Sequence, residues 1–202
     1  MNNICRIVNS VIKSCTYIIS EPGAESIYVV DPGDAIPVLN SVGKSGCLKG
    51  VFLTHVHYDH IYGLNELVMR FPEMPVYTIA DGKDALSSPR KNLSRFHYEM
   101  NDFIFSKPEN VITMPDDGCS IKIYDDLEII ARPTPGHDVT CVSYFLDNII
   151  FSGDSYIPGC KLIKNFPRSN SELAVFHESE LKRLEQKGYS IYPGHAVDFI
   201  EQ

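Results

Sequence analysis

The stretch Thr54-His55-Val56-His57-Tyr58-Asp59-His60 places three histidines and one aspartate within six positions, directly after the apolar run Val51-Phe52-Leu53. A buried neutral imidazole needs hydrogen-bond partners for its ring nitrogens, and a core seldom satisfies three imidazoles beside a carboxylate without a cation. Imidazole and carboxylate groups are also common ligands of metal ions in proteins. The stretch therefore predicts a metal site.

The number of candidate ligands in this stretch exceeds what one catalytic zinc ion needs. Such an ion is typically held by three protein ligands, with water in the fourth position. Residues two apart in an extended chain share a face, so we expect His55, His57 and Asp59 to point one way. We expect His60 to begin a helix and to point the opposite way. The surplus of ligands favours two metal ions.

Further candidate ligands follow other strand-like runs, and in each case a glycine comes directly before the ligand. The three motifs are Thr134-Pro135-Gly136-His137, Ser152-Gly153-Asp154 and Pro193-Gly194-His195. Glycine lacks a Cβ atom, so it permits tight turns and a close approach of the backbone to a bound group. Functional sites are often built from loops at strand ends. We therefore expect these ligands to join those of the first stretch.

The composition predicts one folded domain and excludes several kinds of partner. The chain has 202 residues, of which 44% are hydrophobic, and no repeat or linker divides it, so residues 1–202 are expected to form a single domain. The formal charge of −8 disfavours nucleic acid, whose phosphates bind basic surfaces. No apolar run reaches the roughly 18 residues of a membrane helix. We expect a small-molecule substrate, no nucleic-acid partner and no membrane contact, and the composition leaves the oligomeric state open.

The cysteines and the N-terminal segment predict the compartment. The six cysteines show no C-x-x-C spacing, and the apolar segment 4–19 is interrupted by Arg6 and Lys13. We interpret this segment as paired strands and not as a signal peptide. Reduced cysteines are typical of the cytosol. The sequence therefore predicts a cytoplasmic protein.

Short runs rich in Val, Ile, Tyr and Phe predict strands over residues 4–8, 16–20, 26–30, 51–54, 76–79, 121–124, 127–131, 141–146 and 149–152. Asp125-Asp126 and Asp147-Asn148 are compatible with two-residue hairpin turns between them. Apolar spacing predicts a helix over residues 61–71, which stops before Pro72. This alternation is typical of a mixed α/β protein.

A second predicted helix begins with a capping box formed by Ser169 and Glu172 and closes at Gly188. Its apolar stripe would consist of Leu173, Phe176, Leu181 and Leu184. Residues 81–117 show the weakest pattern, with short helical candidates at 85–86 and 93–100. We expect the segments 81–117 and 155–170 to be loops on the substrate side of the site.

The ordered motifs resemble those of the metallo-β-lactamase fold superfamily, and within it the glyoxalase II-like and lactonase-like hydrolases. The resemblance rests on H-x-H-x-D-H at 55–60, the three later motifs, and the strand Ser26–Val30 followed by Asp31-Pro32-Gly33. It covers nearly the whole chain. The resemblance implies an α/β fold, a four-layer αβ/βα sandwich of two mixed β-sheets with the metal ions at one edge.

The resemblance also implies a ligand set and a cofactor. Three histidines, His55, His57 and His137, would hold a first metal ion. Asp59, His60 and His195 would hold a second ion, and Asp154 would bridge the two. The cofactor would be two divalent metal ions, with zinc preferred and iron or manganese as alternatives, because imidazole and carboxylate ligands suit all three.

The predicted function is a metal-dependent hydrolase that uses a metal-bridging hydroxide to cleave a small ester, thioester or lactone. Asp59 would be the catalytic residue that orients the hydroxide, and Asp31 would either hold a ligating imidazole or simply form a turn before Pro32. Two alternatives stay open. One is a mononuclear non-haem iron oxidoreductase similar to the persulfide dioxygenases. The other is a metal-binding protein without catalytic activity.

Overall fold

The computed structural model describes residues 3–23, 25–97, 101–124 and 127–196, which contain two β-sheets. Six strands lie side by side in chain order in the first sheet: β1 (Asn3–Val8), β2 (Cys15–Ser20), β3 (Ser26–Val30), β4 (Cys47–Phe52), β5 (Val76–Ile79) and β6 (Val111–Met114). The pairs β1·β2 and β2·β3 are antiparallel, and the pairs from β3 to β6 are parallel. The first sheet is therefore mixed.

Five strands form the second sheet: β7 (Cys119–Tyr124), β8 (Leu127–Pro133), β9 (Val142–Leu146), β10 (Ile149–Gly153) and β11 (Ser190–Pro193). Their spatial order is β11-β10-β9-β8-β7, in which only the β10·β11 pair is parallel. The helices of the described residues are α1 (Ala35–Val42), α2 (Tyr58–Ile61), α3 (Leu64–Arg70), α4 (Ala80–Leu86) and α5 (Ser171–Gln186). Short 3₁₀ turns occupy Ser94–Phe96 and Pro108–Asn110.

The core lies in three layers between these elements, because successive side chains of a strand point to opposite faces of the sheet. In β2, Tyr17 and Ile19 pack between the two sheets, against residues such as Tyr144 of β9. Ile18 of the same strand packs against the helices on the other face, including Val38 of α1. The outer face of the second sheet packs on α5 through Phe145, Ile150 and Leu181. The predicted αβ/βα sandwich of two mixed sheets is confirmed.

The prediction of one continuous helix over residues 61–71 is wrong. The structure divides the segment into α2 and α3, which are separated by Tyr62 and Gly63. The Gly63 amide donates to the Pro32 carbonyl oxygen at 3.0 Å, and a Cβ atom at Gly63 would collide with the Gly33 carbonyl oxygen. This close approach locks the turn after Asp31 against the start of α3. The apolar face itself was predicted correctly, since Leu64, Leu67 and Val68 are buried.

The predicted start of α5 is also wrong. Asn170 caps the helix, and its side-chain oxygen accepts hydrogen bonds from the amides of Glu172 and Leu173 at 3.1 Å each. Ser169 instead donates its hydroxyl hydrogen to the His137 carbonyl oxygen at 2.5 Å. The buried positions of α5 are Ala174 and Leu181, whereas two members of the predicted stripe, Leu173 and Phe176, are exposed.

Several boundaries differ from the sequence predictions. β4 begins and ends earlier than the predicted 51–54, so that Leu53 and Thr54 belong to the loop before His55. The segment 81–117, predicted as a loop, contains most of α4, both 3₁₀ turns and β6, and the rest of its described residues lie outside helices and strands. Residues 98–100 and the predicted turn Asp125-Asp126 lie outside the described residues. No helix in the described part of the chain has the length and hydropathy that a bilayer crossing requires.

Candidate metal centre and active site

All seven predicted ligands lie in the loops that follow strands, or in the short helix α2. His55 follows β4, His57 caps α2, and Asp59 and His60 lie within α2. The remaining three follow strands of the second sheet: His137 follows β8, Asp154 follows β10 and His195 follows β11. The exposed fraction of each of the seven residues is 9% or less. The two sheets thus bring the ligands of distant motifs into one buried cluster at their shared edge.

His55, His57 and His137 form one compact group, whose candidate ligand nitrogens all lie within 4.8 Å of one another. The Nδ1 atom of His57 is 3.1 Å from the Nε2 atom of His137. Two imidazoles that approach each other edge to edge at this distance can share a proton or a cation. This group has the donor set that the resemblance assigns to a first metal ion.

Asp59, His60 and His195 form a second group, also within 4.8 Å. The Oδ2 atom of Asp59 lies 3.1 Å from His60 Nε2 and 3.4 Å from His195 Nε2. The expectation that Asp59 shares a face with His55 and His57, opposite His60, is wrong. Asp59 and His60 lie in one helical turn, so the alternation of an extended chain does not apply to them.

Asp154 lies between the two groups. Its Oδ2 atom is 3.5 Å from His137 Nε2 and 3.4 Å from His195 Nε2, and its Oδ1 atom is 3.7 Å from His60 Nε2. A Cβ atom at Gly194 would collide with Asp154 Oδ1, so only glycine fits directly before His195. This geometry places one carboxylate in reach of both groups, as a bridging ligand would require.

Backbone carbonyl groups fix the ring orientation of two histidines. His137 Nδ1 donates to the Ile163 carbonyl oxygen at 2.7 Å, and His195 Nδ1 donates to the Ile12 carbonyl oxygen at 3.1 Å. Because a carbonyl oxygen can only accept, each Nδ1 atom carries the hydrogen and each Nε2 atom presents its lone pair to the cluster. Nothing in the sequence indicated either contact, since any residue has a carbonyl group.

Asp31 orients two further ligands, which resolves the two interpretations of this residue. Its Oδ2 atom lies 3.1 Å from His60 Nδ1, and its two oxygens accept from the Thr54 amide and hydroxyl at 2.7 and 2.5 Å. Thr54 Oγ1 in turn lies 3.2 Å from His55 Nδ1. Asp31 also shapes the turn, because its carbonyl accepts from the Gly33 amide and its φ is 52°. Asp31 therefore holds imidazoles as well as forming the turn.

Asp138 is a part of the site that the sequence interpretation missed. Its carboxylate is buried, with Oδ1 accepting from the amide and the hydroxyl of Thr140 at 2.9 and 2.7 Å. The other oxygen, Oδ2, lies 3.6 Å from His57 Nε2. The signal was present in the sequence, because this acidic residue directly follows His137.

The buried polar atoms of the cluster test whether the residues fit a metal centre. Seven buried side-chain nitrogen or oxygen atoms of the described residues lack a hydrogen-bond partner. Three of them, His55 Nε2, Asp59 Oδ2 and Asp154 Oδ1, are cluster atoms that a metal ion could bind, and a fourth, His57 Nε2, faces Asp138. Leaving such atoms unpaired in a core is unfavourable. Five imidazoles and two carboxylates are a donor set that divalent transition metals bind readily. The residues present therefore fit a metal centre.

The charges in the cluster favour a cation at its centre. Burial alone would raise the pKa of Asp154, but the imidazoles of His195, His137 and His60 hold it well below its usual range. Burial alone would lower the pKa of His60, but Asp59 and Asp31 raise it well above its usual range. Burial and the neighbouring imidazoles hold the pKa of His55 well below its usual range. These directions favour an ionised Asp154 carboxylate and a neutral His55 ring, which are the forms that bind metals. The raised pKa of His60 shows that the neighbouring carboxylates favour positive charge at this ring, which a bound metal ion would supply in place of a proton.

A cavity of about 500 Å³ opens onto the cluster, and five of the predicted ligands line it: His57, Asp59, His137, Asp154 and His195. Much of the remaining wall comes from the segment 155–170, so this segment lies beside the cluster. From the segment 81–117, Leu93 is the contributor among the described residues. Tyr156 is absent from this wall and packs beneath α5, where its hydroxyl donates to Glu185 Oε2 at 2.6 Å.

Comparisons with known proteins define the family. Residues 13–195 match the sequence profile of the metallo-β-lactamase superfamily. The chain therefore belongs to this superfamily, as its motifs indicated. It is 30% identical over 132 residues to a hydroxyacylglutathione hydrolase of Salmonella paratyphi A, an alignment that covers 65% of this chain and 43% of that enzyme.

Solved structures confirm the fold. The BLEG-1 B3 metallo-β-lactamase superposes with a TM-score of 0.79 at 21% identity and covers 96% of this chain and 92% of its own. TTHA1623 in a di-iron-bound form superposes with a TM-score of 0.72 at 18% identity and covers 95% of this chain and 92% of its own. At such identities the likeness shows the fold alone.

Proposed function

We propose that the protein is a dinuclear zinc hydrolase that cleaves a small ester, thioester or lactone. The observation that carries this proposal is the position of Asp154, whose carboxylate reaches imidazoles of both ligand groups at 3.4 to 3.7 Å. Two divalent cations bound in such a site supply a hydroxide at neutral pH and polarise a carbonyl oxygen. In this proposal seven side chains would ligate the two ions: His55, His57, Asp59, His60, His137, Asp154 and His195.

The residues of the chain would prepare this chemistry in three ways. Asp31, Asp138 and the carbonyl groups of Ile12 and Ile163 orient the imidazoles. Asp59 lies in the cavity wall. Burial alone would raise the pKa of its carboxyl group, but His60 and His195 lower it, which favours the ionised form that can accept a proton. Asp59 would orient the attacking water and accept a proton from it. The apolar cavity wall would exclude other water molecules.

The relatives support hydrolysis, within limits. Hydroxyacylglutathione hydrolases are hydrolases by name, and this chain spans 43% of the length of the one it was compared with. We therefore carry over the hydrolytic reaction as part of the proposal and leave the leaving group of the substrate open. None of the six cysteines forms a disulfide bond in the described part of the chain, which supports the cytoplasmic location as part of this proposal.

The experiment that tests the function is a hydrolysis screen of the zinc-loaded protein with aryl esters, acyl thioesters and γ-lactones. We expect turnover in at least one class and its loss on treatment with a chelator, with recovery when zinc is returned. Oxygen consumption by the iron-loaded protein with a persulfide, together with no hydrolysis by the zinc-loaded protein, would instead support the iron oxidoreductase. Zinc binding without turnover in any class would support the non-catalytic alternative.

A further inference from the structure

The cavity beside the cluster has an apolar wall that the proposed hydrolysis alone does not explain. We propose that this wall binds an unbranched apolar acyl chain of the substrate, so that the enzyme selects acyl groups by chain length. This inference rests on the proposed function for the bond that is cleaved. The cavity volume of about 500 Å³ lies in the range of small-molecule sites.

The chemistry of the wall points to an apolar ligand. Six apolar side chains line it: Ile12, Leu93, Ile157, Leu162, Ile163 and Phe166. Among the described residues that line the cavity, both carboxylates, Asp59 and Asp154, belong to the metal cluster. Outside the cluster, the polar side chains of the wall are those of Tyr58, Cys160 and Lys161. They are fewer than the six apolar side chains, so a hydrocarbon chain would be favourably removed from water along most of the wall.

The apolar wall is built directly onto the candidate ligands. The ring of Phe166 lies 5.0 Å from the ring of His57 and 5.3 Å from that of His137. On the same side, Ile163 contacts His137 through its carbonyl group, and on the other side Ile12 contacts His195 in the same way. A chain attached to a carbonyl at the cluster would therefore pass between walls that are fixed to both ligand groups.

Ile12 is held at the cavity wall by the tight turn of the β1–β2 hairpin. Its φ is 37° and that of Lys13 is 56°, as the two central residues of a type I′ turn require, and the Ser14 amide donates to the Val11 carbonyl oxygen at 3.2 Å. The turn leaves the Ile12 side chain 42% exposed at the cavity, where an acyl chain could contact it.

The first test measures binding and not turnover. Linear carboxylates from butanoate to octanoate are titrated into the zinc-loaded protein by calorimetry. We expect the affinity to rise about fourfold for each added methylene group, as burial of hydrocarbon predicts. An affinity that does not change with chain length would overturn the proposal.

Two wall variants with a matched control make the test specific. Ile12→Asn and Ile163→Asn remove apolar surface from opposite sides of the cavity, and asparagine suits the left-handed conformation at position 12. Ile104→Asn is the control, because Ile104 lies outside the cavity wall and is 54% exposed, against 53% for Ile163. We expect the ratio of octanoate to butanoate affinity to fall at least about tenfold in both wall variants and to stay unchanged in the control. An unchanged ratio in both wall variants would contradict the proposal.

Hydrolysis of matched acetyl, butanoyl, hexanoyl and octanoyl esters separates this inference from the proposed function. If the affinity for carboxylates rose with chain length but no ester were hydrolysed, the acyl cavity would be supported and the hydrolase would be refuted. Hydrolysis of the acetyl ester with no gain in affinity or in kcat/KM for longer chains would support the hydrolase and refute the acyl cavity.

Discussion

Asp59 is the single residue on which the proposed chemistry depends most directly. Asp59→Asn keeps the shape of the side chain but removes the charge and the ability to accept a proton. We expect kcat/KM for the best ester or thioester to fall by about 10²–10⁴, the range typical of a lost general base. The loss should appear in kcat at saturating substrate in a steady-state assay.

The control for this variant is Asp102→Asn, which changes an exposed carboxylate that pairs with Arg95. It should retain the activity of the unchanged protein. If Asp59→Asn retained full activity while the zinc content stayed the same, Asp59 would have no catalytic role.

Asp138 carries the second prediction at this scale. In Asp138→Asn an amide hydrogen would face His57 Nε2, which itself carries a hydrogen when Nδ1 binds a metal. Loss of such an outer carboxylate typically weakens metal affinity about 10–100-fold. Competition with a chromophoric chelator would measure the change. If Asp138→Asn bound the metal as tightly as the control Asp102→Asn, Asp138 would not support His57.

The sequence predicted the candidate ligands and offered one of the groups that orient them, Asp31, but not the others. Histidines and aspartates in dense motifs stand out because few structural roles require them together. Asp138 and Thr54 each adjoin a predicted ligand in the sequence, but only the fold shows that Asp138 approaches His57 and that Thr54 links Asp31 to His55. The carbonyl groups of Ile12 and Ile163 act across 183 and 26 positions of the chain, and side-chain identity cannot encode such contacts.

At the scale of secondary-structure elements, Asp34 ties the β1–β2 hairpin to the turn between α2 and α3. Its carboxylate accepts from the Ser10 amide and hydroxyl at 2.8 and 2.7 Å and from the Tyr62 hydroxyl at 2.5 Å. The hairpin also contains Ile12, whose carbonyl oxygen accepts from His195 Nδ1, so the hydrogen bonds of Asp34 help to position that carbonyl group. We expect Asp34→Asn to lower the free energy of unfolding by about 1 kcal/mol at pH 7.

The difference in unfolding free energy between the unchanged protein and Asp34→Asn should depend on pH. Partial burial alone would raise the pKa of Asp34, but the hydrogen bonds from Tyr62 and Ser10 lower it. A carboxyl group with a lowered pKa in the folded state stabilises the protein above its unfolded pKa of about 3.9, and the stabilisation is lost as the pH falls through the folded value. Urea unfolding at pH 7 and at about pH 3 should show the difference shrinking. A difference that is the same at both pH values would contradict the role of the charge.

The elements themselves were predicted to an uneven extent. Strands with alternating or continuous apolar residues, such as β2 and β3, were predicted within a residue of their ends. The break between α2 and α3 was missed because it depends on contact of Gly63 with the distant Pro32-Gly33 turn. The α5 cap was misplaced by one residue because Ser169 bonds to His137 and leaves capping to Asn170.

For the whole molecule, removal of the metal should lower stability as well as activity. The cluster holds five imidazoles and two carboxylates that could bind metal. A metal ion that binds only the folded state would stabilise that state by about 2.7 kcal/mol when its concentration is a hundredfold above Kd. For a chain of this length that corresponds to roughly 5–10 °C in Tm. Scanning calorimetry with and without chelator would measure the shift, and returned zinc should reverse it. An unchanged Tm after complete metal removal would show that the cluster binds no metal in the folded protein.

The measurement that tests the central claim most directly is the metal content per chain, determined by plasma mass spectrometry on protein purified without added metal or chelator. The arrangement of two ligand groups around Asp154 predicts about two zinc ions per chain. About one iron per chain with little zinc, or no stoichiometric metal, would contradict the dinuclear zinc hydrolase.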